Sequence, residues 1–479
     1  MRRIALAVGG GLALGGCTVG PRAPTTTIAM PPPHVPETIA PASGVAQTFS
    51  NTTPDRSEWW HAFGSAKLDA LVTQLVLRNN DLATAEATLR QAQEQARAAG
   101  SGQGPQIDAS YQAQHARVSQ ALSTPLADPS NYLYTLHTAQ VTVAYPLDLF
   151  GGGRSRVRSA RAAAQVAADR LVAARTTAIA NLVLAVIQHA SLEAQIAATE
   201  SAIRSNRELV DLLQRRRAIG DAGEADVVAQ QTALATIEAT LPPLQRQVEH
   251  QAGLIETLTG SAAGNALPAM PTLNELRLPV DLPTALPADI IAHRPDVEAA
   301  EAQMRGAGAD VDTAIAARLP AFQLTGNAGG AATHFLDMFA TGNPFYALAG
   351  SITQPIFHSG QLVHQQHAAE AALDAAKAQY RVAALQAFLD VDDALAGLQS
   401  DAAALDAAAR ADRAASRSLL LMRRQVELGA QGMLGLLTAS SVAAQTSVQL
   451  IQARSARLTD TVALYQACGT DVRNSTGRN

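Results

Sequence analysis

The chain repeats itself. "YPLDLFGGGR" at 145–154 returns as "QPIFHSGQL" at 354–362, and Pro146 and Pro355 stand 209 residues apart. Gly151 and Gly360, Gly220 and Gly429, Gly223 and Gly432, and Gly260 and Gly469 keep that offset of 209. Proline and glycine mark turns and helix ends, so the segments between them must have equal lengths in the two copies. Helical phase repeats too. Ala160, Ala164, Ala167, Leu171, Ala174, Ala178, Leu182 and Ala185 follow a 4-3-4-3 spacing with one extra step near the end. The second copy places Ala369, Leu373, Ala376, Tyr380, Ala383, Ala387, Val391 and Ala394 at the same offset. Each set is a coiled-coil seam. No proline interrupts 155–218, which as one helix would run about 96 Å. The stretch 361–427 is similar, and the core of a soluble domain has no use for rods of that length.

At the tip glycines each chain turns back into a second long helix, broken in the first copy at Pro242 and Pro243. Shorter helices are expected at 66–99 and 287–318. Between short and long helices lie strand patterns. "IDASYQAQHARV" (107–118) puts Ile107, Ala109, Tyr111 and Ala113 on one face. "YTLHTAQVTVAYPL" (134–147) sets Ala139, Val141, Val143 and Tyr145 against Gln140 and Thr142. The second copy offers "FQLTGNAGG" (322–330) and "FYALAGSITQPIF" (345–357), with loops "SQALSTPLADPSN" and "AATHFLDMFATGN". Each strand is near the ~9–11 residues that a tilted membrane strand needs. The best candidate for a membrane helix after the leader, "IANLVLAVIQHA" (179–190), carries Asn181, Gln188 and His189 and falls short of ~20 residues. Strands are therefore expected to do any crossing.

Four strands cannot close. An open edge in lipid leaves backbone groups unsatisfied at several kcal/mol each, and about eight strands make the smallest barrel, filled by side chains. Three chains would supply twelve strands and a lumen. The fold expected is mainly α with transmembrane β: an internally duplicated unit, a long coiled-coil α-helical barrel, and four strands per chain completing a trimeric 12-stranded β-barrel.

The start reads "LALGGCTVGP" at 12–21, after Arg2, Arg3 and an apolar run from Ile4 to Leu14. That is a secretory leader, too short to span a bilayer. Leu14, Gly15, Gly16 and Cys17 resemble a bacterial lipobox, which implies cleavage before Cys17, an S-diacylglycerol on its sulfur and N-palmitoylation. Thr18 follows where an inner-membrane protein would carry aspartate, so outer-membrane sorting is expected. The second of the two cysteines, Cys468, then has no partner in the chain and reads as a buried thiol. The organisation expected is a leader at 1–16, a lipidated tether at 17–64, repeats at 65–260 and 287–469, a linker at 261–286 and a tail at 470–479. Charged residues are 16% and aromatics 4%, and the net charge of −5 offers no footprint for nucleic acid.

Motifs for chemistry are sparse. "GGGR" at 151–154 reads as a strand-to-helix turn, because Gly360 repeats Gly151 without the arginine. His358, His364 and His367 are the densest histidine group, and His364 and His367 could share a helix face. The first copy has no histidine at matching positions, so a metal site is not expected. Asp390, Asp392 and Asp393 in "LDVDDAL" lack calcium-loop spacing. No nucleophile–base arrangement stands out, and no enzyme is expected.

With "CTVGP", "EWWHAFGSAKLDALV" (58–72), "YPLDLFGGGR", "HRPDVEAAEAQ" (293–303), "TQPIFHSGQL" and "LDVDDAL" in this order, the chain resembles the TolC-like outer membrane factors, specifically the lipoprotein branch of OprM and NodT type. The resemblance covers essentially the whole mature chain. It implies a homotrimeric exit duct joined through a periplasmic adaptor to an inner-membrane pump of the resistance-nodulation-division type. A channel for type I polypeptide secretion is the alternative within that class. A periplasmic adaptor or a structural coiled-coil lipoprotein are the alternatives outside it. The resemblance also implies a gate after Gly429, with Leu434 at a position that forms an apolar plug. Gly435 and Thr438 stand where relatives carry carboxylates, and Val426 where a tyrosine is common, so a constriction that closes by dewetting is expected. Arg217, Gly220, Gly223, Asp226, Gly429 and Gly432 mark the hairpin tips, with Arg217 and Asp226 available to pair across the tip or to face the adaptor.

Overall fold

A computed structural model describes residues 38–50, 56–117, 133–261, 268–283, 294–428, 430 and 432–469. Cys17, the leader, the loop 119–131, Gly429 and the tail 470–479 lie outside the described residues. In chain order the elements are β1 (Thr38–Ile39), β2 (Gln47–Ser50), a 3₁₀ segment Arg56–Phe63, α1 (Ala66–Arg78), α2 (Asn80–Ser101), β3 (Gln106–Arg117), β4 (Leu133–Leu147) and α3 (Gly152–Ala218). There follow α4 (Glu224–Glu238), α5 (Leu241–Leu258), β5 (Asp281–Pro283), α6 (Pro295–Ala316), β6 (Ala321–Ala332), β7 (Pro344–Thr353), α7 (Gln361–Glu427) and α8 (Met433–Ala467).

The duplication is visible element by element. Both α3 and α7 have 67 residues, and their bounds differ by the same 209. The backbone repeats at the breakers. Gly151 and Gly360 open these helices with φ of +81° and +84°, a conformation that costs other residues about 1–2 kcal/mol. Gly223 and Gly432 cap α4 and α8 in extended conformation, with φ, ψ of −80°, 157° and −77°, 160°. Upstream the offset changes: α2 and α6 have 22 residues each and β3 and β6 have 12 each, but they stand 215 apart. The difference is taken up between the strands of each pair, where a loop can change length without disturbing the ladder.

Two compact units emerge. One comprises residues 89–166 and 300–380 and holds a four-stranded sheet in the order β3-β4-β6-β7, antiparallel throughout. Beside its strands, Met304 and Val311 of α6 pack on Leu373 and Ala376 of α7. The other unit takes in the described residues of 28–88, 167–299 and 381–479, and holds the main core. There Trp59, Phe63, Leu68, Leu71 and Leu75 meet Ile179, Leu182, Val183 and Ile187, and Leu398, Val462 and Tyr465 complete the packing.

Several expectations are corrected here. The segment 17–64 is not wholly an extended tether. Residues 38–39 and 47–50 form a small sheet with 281–283 of the supposed linker, because Gln47 and Leu282 are both buried against the helices. The helix expected at 66–99 is two helices, α1 and α2, with Asn79 extended between them at φ −68°, ψ 125°. The Asn79 side chain accepts from Leu82 N (3.0 Å) and donates to the Leu258 carbonyl (2.8 Å), satisfying groups the break exposes. The break after α4 falls at Ala239 and Thr240, ahead of Pro242 and Pro243, which occupy the first turn of α5 where a missing N–H costs nothing. β7 ends at Thr353, short of the expected 357.

By length and composition alone, two helices carry longer apolar windows than the stretch 179–190 suggested. α3 and α8 contain windows of sufficient length and mean hydropathy, 1.6 and 1.2. In α3 the apolar run is buried within this chain, as Ile179, Leu182, Val183, Val186 and Ile187 all face the core. Its apolar residues at these positions line the core, one buried face of a helix whose other faces stay open in the single chain.

One turn is set by close approach. Gly260 has φ +65°, and a Cβ there would lie 2.2 Å from the Arg78 carbonyl oxygen. Gly260→Ala is expected to cost more than ~2 kcal/mol, from positive φ plus the clash with rigid backbone. A thermal melt followed by circular dichroism would show it, and an unchanged midpoint would refute the reading.

Candidate functional site

The sheet has two unlike faces, and alternation along each strand creates them. One face carries Ile107 opposite Val143, Tyr111 opposite Ala139, Tyr145 opposite Leu324, and Ala328 opposite Tyr346. Ile107, Tyr111, Val141, Leu324, Tyr346, Leu348 and Ile352 are all exposed in the single chain. The other face carries Asp108, Ser110, Gln112, Gln140, Thr142, Gln323, Thr325 and Asn327. An exposed apolar face backed by a polar one suits a wall between hydrocarbon and water. β3 and β7 are the outer strands, each with one edge unpaired among the described residues. Such edges are templates for pairing with another chain.

The helix turns form the second feature. At the first, Arg216 O accepts from Asp221 N (2.8 Å), and Gly220 has φ +78°, closing α3 in a left-handed cap. Arg217 pairs with Glu224, not with Asp226. The Asp226 carboxylate instead accepts from Gly223 N at 3.2 Å, reaching back over the first turn of α4. Both groups are thus engaged locally, because the turn is short enough to bring them within one helical turn of their partners.

At the second turn, Val426 and Leu434 part company. Val426 is 3% exposed and packs on Leu209 and Leu436. Leu434 is 73% exposed. It lies with Met422, Gly435, Thr438 and Ala439 around a shallow concavity of about 630 Å³ between α7 and α8. Thr438 Oγ1 donates to the Leu434 carbonyl at 3.0 Å, so its hydroxyl is engaged within the helix. A Cβ at Gly435 would stand 3.5 Å from Met422 Sδ, an ordinary contact distance. Val426 therefore belongs to the packing beneath the turn, and Leu434 to its open face. Among the described residues no histidine, cysteine or acidic cluster has metal-binding geometry; the His364 and His367 rings stand 6.3 Å apart, edge to face.

Two polar clusters are not legible in the sequence. Arg294, 9% exposed, donates to Asp296 (3.0 and 2.8 Å), to Asp390 (2.9 Å) and to the Ala467 carbonyl (3.1 Å). Burial opposes its charge, but the hydrogen bonds and charges of Asp296 and Asp390 outweigh that and raise its pKa. Asp390 is thus an intrachain ion-pair partner. The other cluster centres on Arg457, 1% exposed, whose Nε and Nη2 donate to Gln47 Oε1 at 3.3 and 3.1 Å. Gln47 Nε2 in turn donates to Thr461 Oγ1 (3.2 Å) and the Pro279 carbonyl (3.0 Å). Nearby, burial and the adjacent Asp460 push the Asp401 carboxyl up to about 6. Of these groups Arg294 and Asp296 fall in the motif "HRPD" and Asp390 in "LDVDDAL", but no spacing announces their pairing, and nothing links Gln47 to a residue four hundred positions on. Cys468 is buried in the same core.

A sheet with an exposed apolar face and two open edges, in a chain of duplicated long helices, is the build of one subunit of a membrane channel. The family model described as outer membrane efflux protein matches residues 71–261 and 286–470, and the chain belongs to that family. It is 28% identical over 441 residues to the pyoverdine export outer membrane protein OpmQ of Pseudomonas putida, covering 90% of this chain and 92% of that one. The toluene efflux pump outer membrane protein TtgC of Pseudomonas putida is 26% identical over 471 residues, covering 97% and 95%. Among solved structures, the outer-membrane channel OprN superposes with a TM-score of 0.84 at 25% identity, covering 95% of this chain and 100% of that one. The protein is an outer-membrane efflux channel with a helical periplasmic portion, on a TolC-like fold.

Proposed function

We propose that this chain assembles as a homotrimer and serves as the exit duct of a tripartite pump, carrying small molecules outward. A periplasmic adaptor and an inner-membrane transporter of the resistance-nodulation-division type complete the system. One observation carries the reading: the four-stranded sheet has a lipid-compatible face and leaves β3 and β7 with open edges. Twelve strands from three copies would remove both edges and leave a water-filled lumen lined by the polar face. The relatives named for pyoverdine export and toluene efflux support a small-molecule cargo over a polypeptide. In this reading Leu434 supplies the apolar constriction, the turns at Gly220, Gly223 and Gly432 meet the adaptor, and Gly429 belongs to the same contact by its place in the sequence. Cys17 carries the S-diacylglycerol and N-palmitoyl groups. No cofactor and no catalytic step are needed.

The test is direct. Outer-membrane extract run without heating should show a band of trimer size that collapses to monomer on boiling. Expression in a host lacking its own channel should restore resistance to at least one small toxic compound only when a pump and adaptor are present. A monomer in the soluble periplasm would overturn the proposal.

A further inference from the structure

The apolar face of the sheet changes character along its length. β3 follows α2 and β4 leads into α3, so Arg117 and Leu133 stand at the strand ends away from those helices. In a channel whose helical portion is periplasmic, that end is outermost. Ile107, Val141 and Leu348 cover the inner stretch of the face. Next comes an aromatic zone. Tyr111 stacks on His137 with ring centres 6.2 Å apart, and Phe335 stands edge-on to both at 5.6 and 6.2 Å. Beyond it, His115 and Arg117 alternate onto the same face as Ile107 and Tyr111, because the β3–β4 register runs without a bulge from Gln106 to Arg117.

The two imidazoles are held alike. Tyr111 Oη lies 2.8 Å from His137 Nδ1, and Thr135 Oγ1 lies 2.8 Å from His115 Nδ1. In both pairs the hydroxyl occupies Nδ1 and leaves Nε2 as the ring nitrogen turned away from it; with the hydroxyl donating, or with the ring protonated, Nε2 carries an N–H. Arg117 adds a permanent charge and a fork of donors. Among the described strand residues, no carboxylate shares this face beyond Tyr111. Asp337, in the segment that follows β6, stands 3.8 Å from His334.

Hydrocarbon face, aromatic zone, then a rim of N–H donors match the layers of a lipid leaflet from acyl chains to phosphate. We propose that His115, His137 and Arg117 form a docking rim for the phosphorylated headgroup of an outer-leaflet glycolipid. Phosphate oxygens accept from the two Nε2–H groups and from the guanidinium, while the acyl chains lie along Ile107, Val141 and Leu348. Phe335 and Tyr111 fill the level between. The rim needs no other subunit, since all three donors stand on one β-hairpin.

The experiment uses the full-length channel in phosphatidylcholine nanodiscs containing diphosphoryl lipid A or its dephosphorylated form. Lipid retained after exchange into detergent is counted by native mass spectrometry. The wild type should retain the diphosphoryl form preferentially. Arg117→Gln should lower its retention about fivefold, the usual effect of one basic residue at an anionic surface. His115→Gln with His137→Gln should lower it by a similar factor. Unheated gels establish that each variant still forms the wild-type species. Equal retention of the two lipids by the wild type, or unchanged retention in both variants, would overturn the proposal, as would equal displacement by inorganic phosphate, which would mark a plain anion site.

Discussion

Arg294→Ala will loosen the helical core at the point where three of its elements meet. The guanidinium precedes Pro295 at the start of α6, bonds Asp390 in α7, and donates to the carbonyl of Ala467, the last residue of α8. The last carbonyls of a helix lack intrahelical partners, and a cation at that end also meets the negative pole of the helix dipole. Alanine would leave that carbonyl and two carboxylates without their donor. Removing one partner of a fully buried pair costs about 3–5 kcal/mol. Asp296 and Asp390 are 43% and 35% exposed, so water relieves part of this. The expected loss is about 3 kcal/mol, near the lower end of that range. Arg294→Lys should fall between, keeping the charge but not the fork that reaches Asp296, Asp390 and Ala467 together. The measurement is the temperature at which the unheated oligomer band disappears. Identical temperatures for wild type and the alanine variant would show that the cluster contributes nothing.

The second large effect concerns transport. Leu434→Ser should leave assembly intact and raise closed-state conductance in planar bilayers several-fold, because a hydroxyl lowers the cost of wetting a narrow apolar ring. Leu434 is exposed in the single chain, so the change creates no internal cavity. Val426→Ser is the control. Val426 packs inside the same turn against Leu209 and Leu436, so serine there should lower stability by about 1–3 kcal/mol and leave conductance alone. Were the two variants to leak equally, the constriction would not be at Leu434. No change with Leu434→Ser would end the assignment.

Much of this fold can be read from residues alone, for a physical reason. Breakers act locally: a glycine at positive φ, as at Gly151 and Gly360, ends an element whatever surrounds it. A repeated set of breakers therefore transmits element lengths without structural information, and α3 and α7 match to the residue. Strand alternation in β3 and β4 is equally plain, since one face meets hydrocarbon and the other water. Long-range pairing is not legible. β1, β2 and β5 are two, four and three residues long, too short for a period, and they exist because helices elsewhere bury Gln47 and Leu282. Asn79 gives no sign of a break, because its role depends on a carbonyl 179 positions away. The candidate site divides likewise. Leu434 is located by resemblance, while the burial of Val426 and the local pairing of Arg217 with Glu224 need coordinates. The histidine rim has no sequence signal, because each histidine alone is ordinary and only the ladder brings His115 and His137 to one face.

Gln47 has a mechanical consequence. Its amide is gripped by Arg457 and Thr461 of α8, and the Ala42 N–H donates to Asp406 of α7 at 2.8 Å. The amino-terminal segment is thus stitched to α7 and α8, the two longer helices of the second repeat. From Cys17 to Thr38 there are 21 residues, a contour of at most about 75 Å. With a lipid at Cys17, this stretch would act as a leash of bounded length between bilayer and helices. It would bound how far a lipid at Cys17 can lie from the α7–α8 pair. Any pull on the leash would reach that pair first, at Ala42 and then at Gln47. Lengthening the leash should therefore relax a positional limit without touching the wall of the pore.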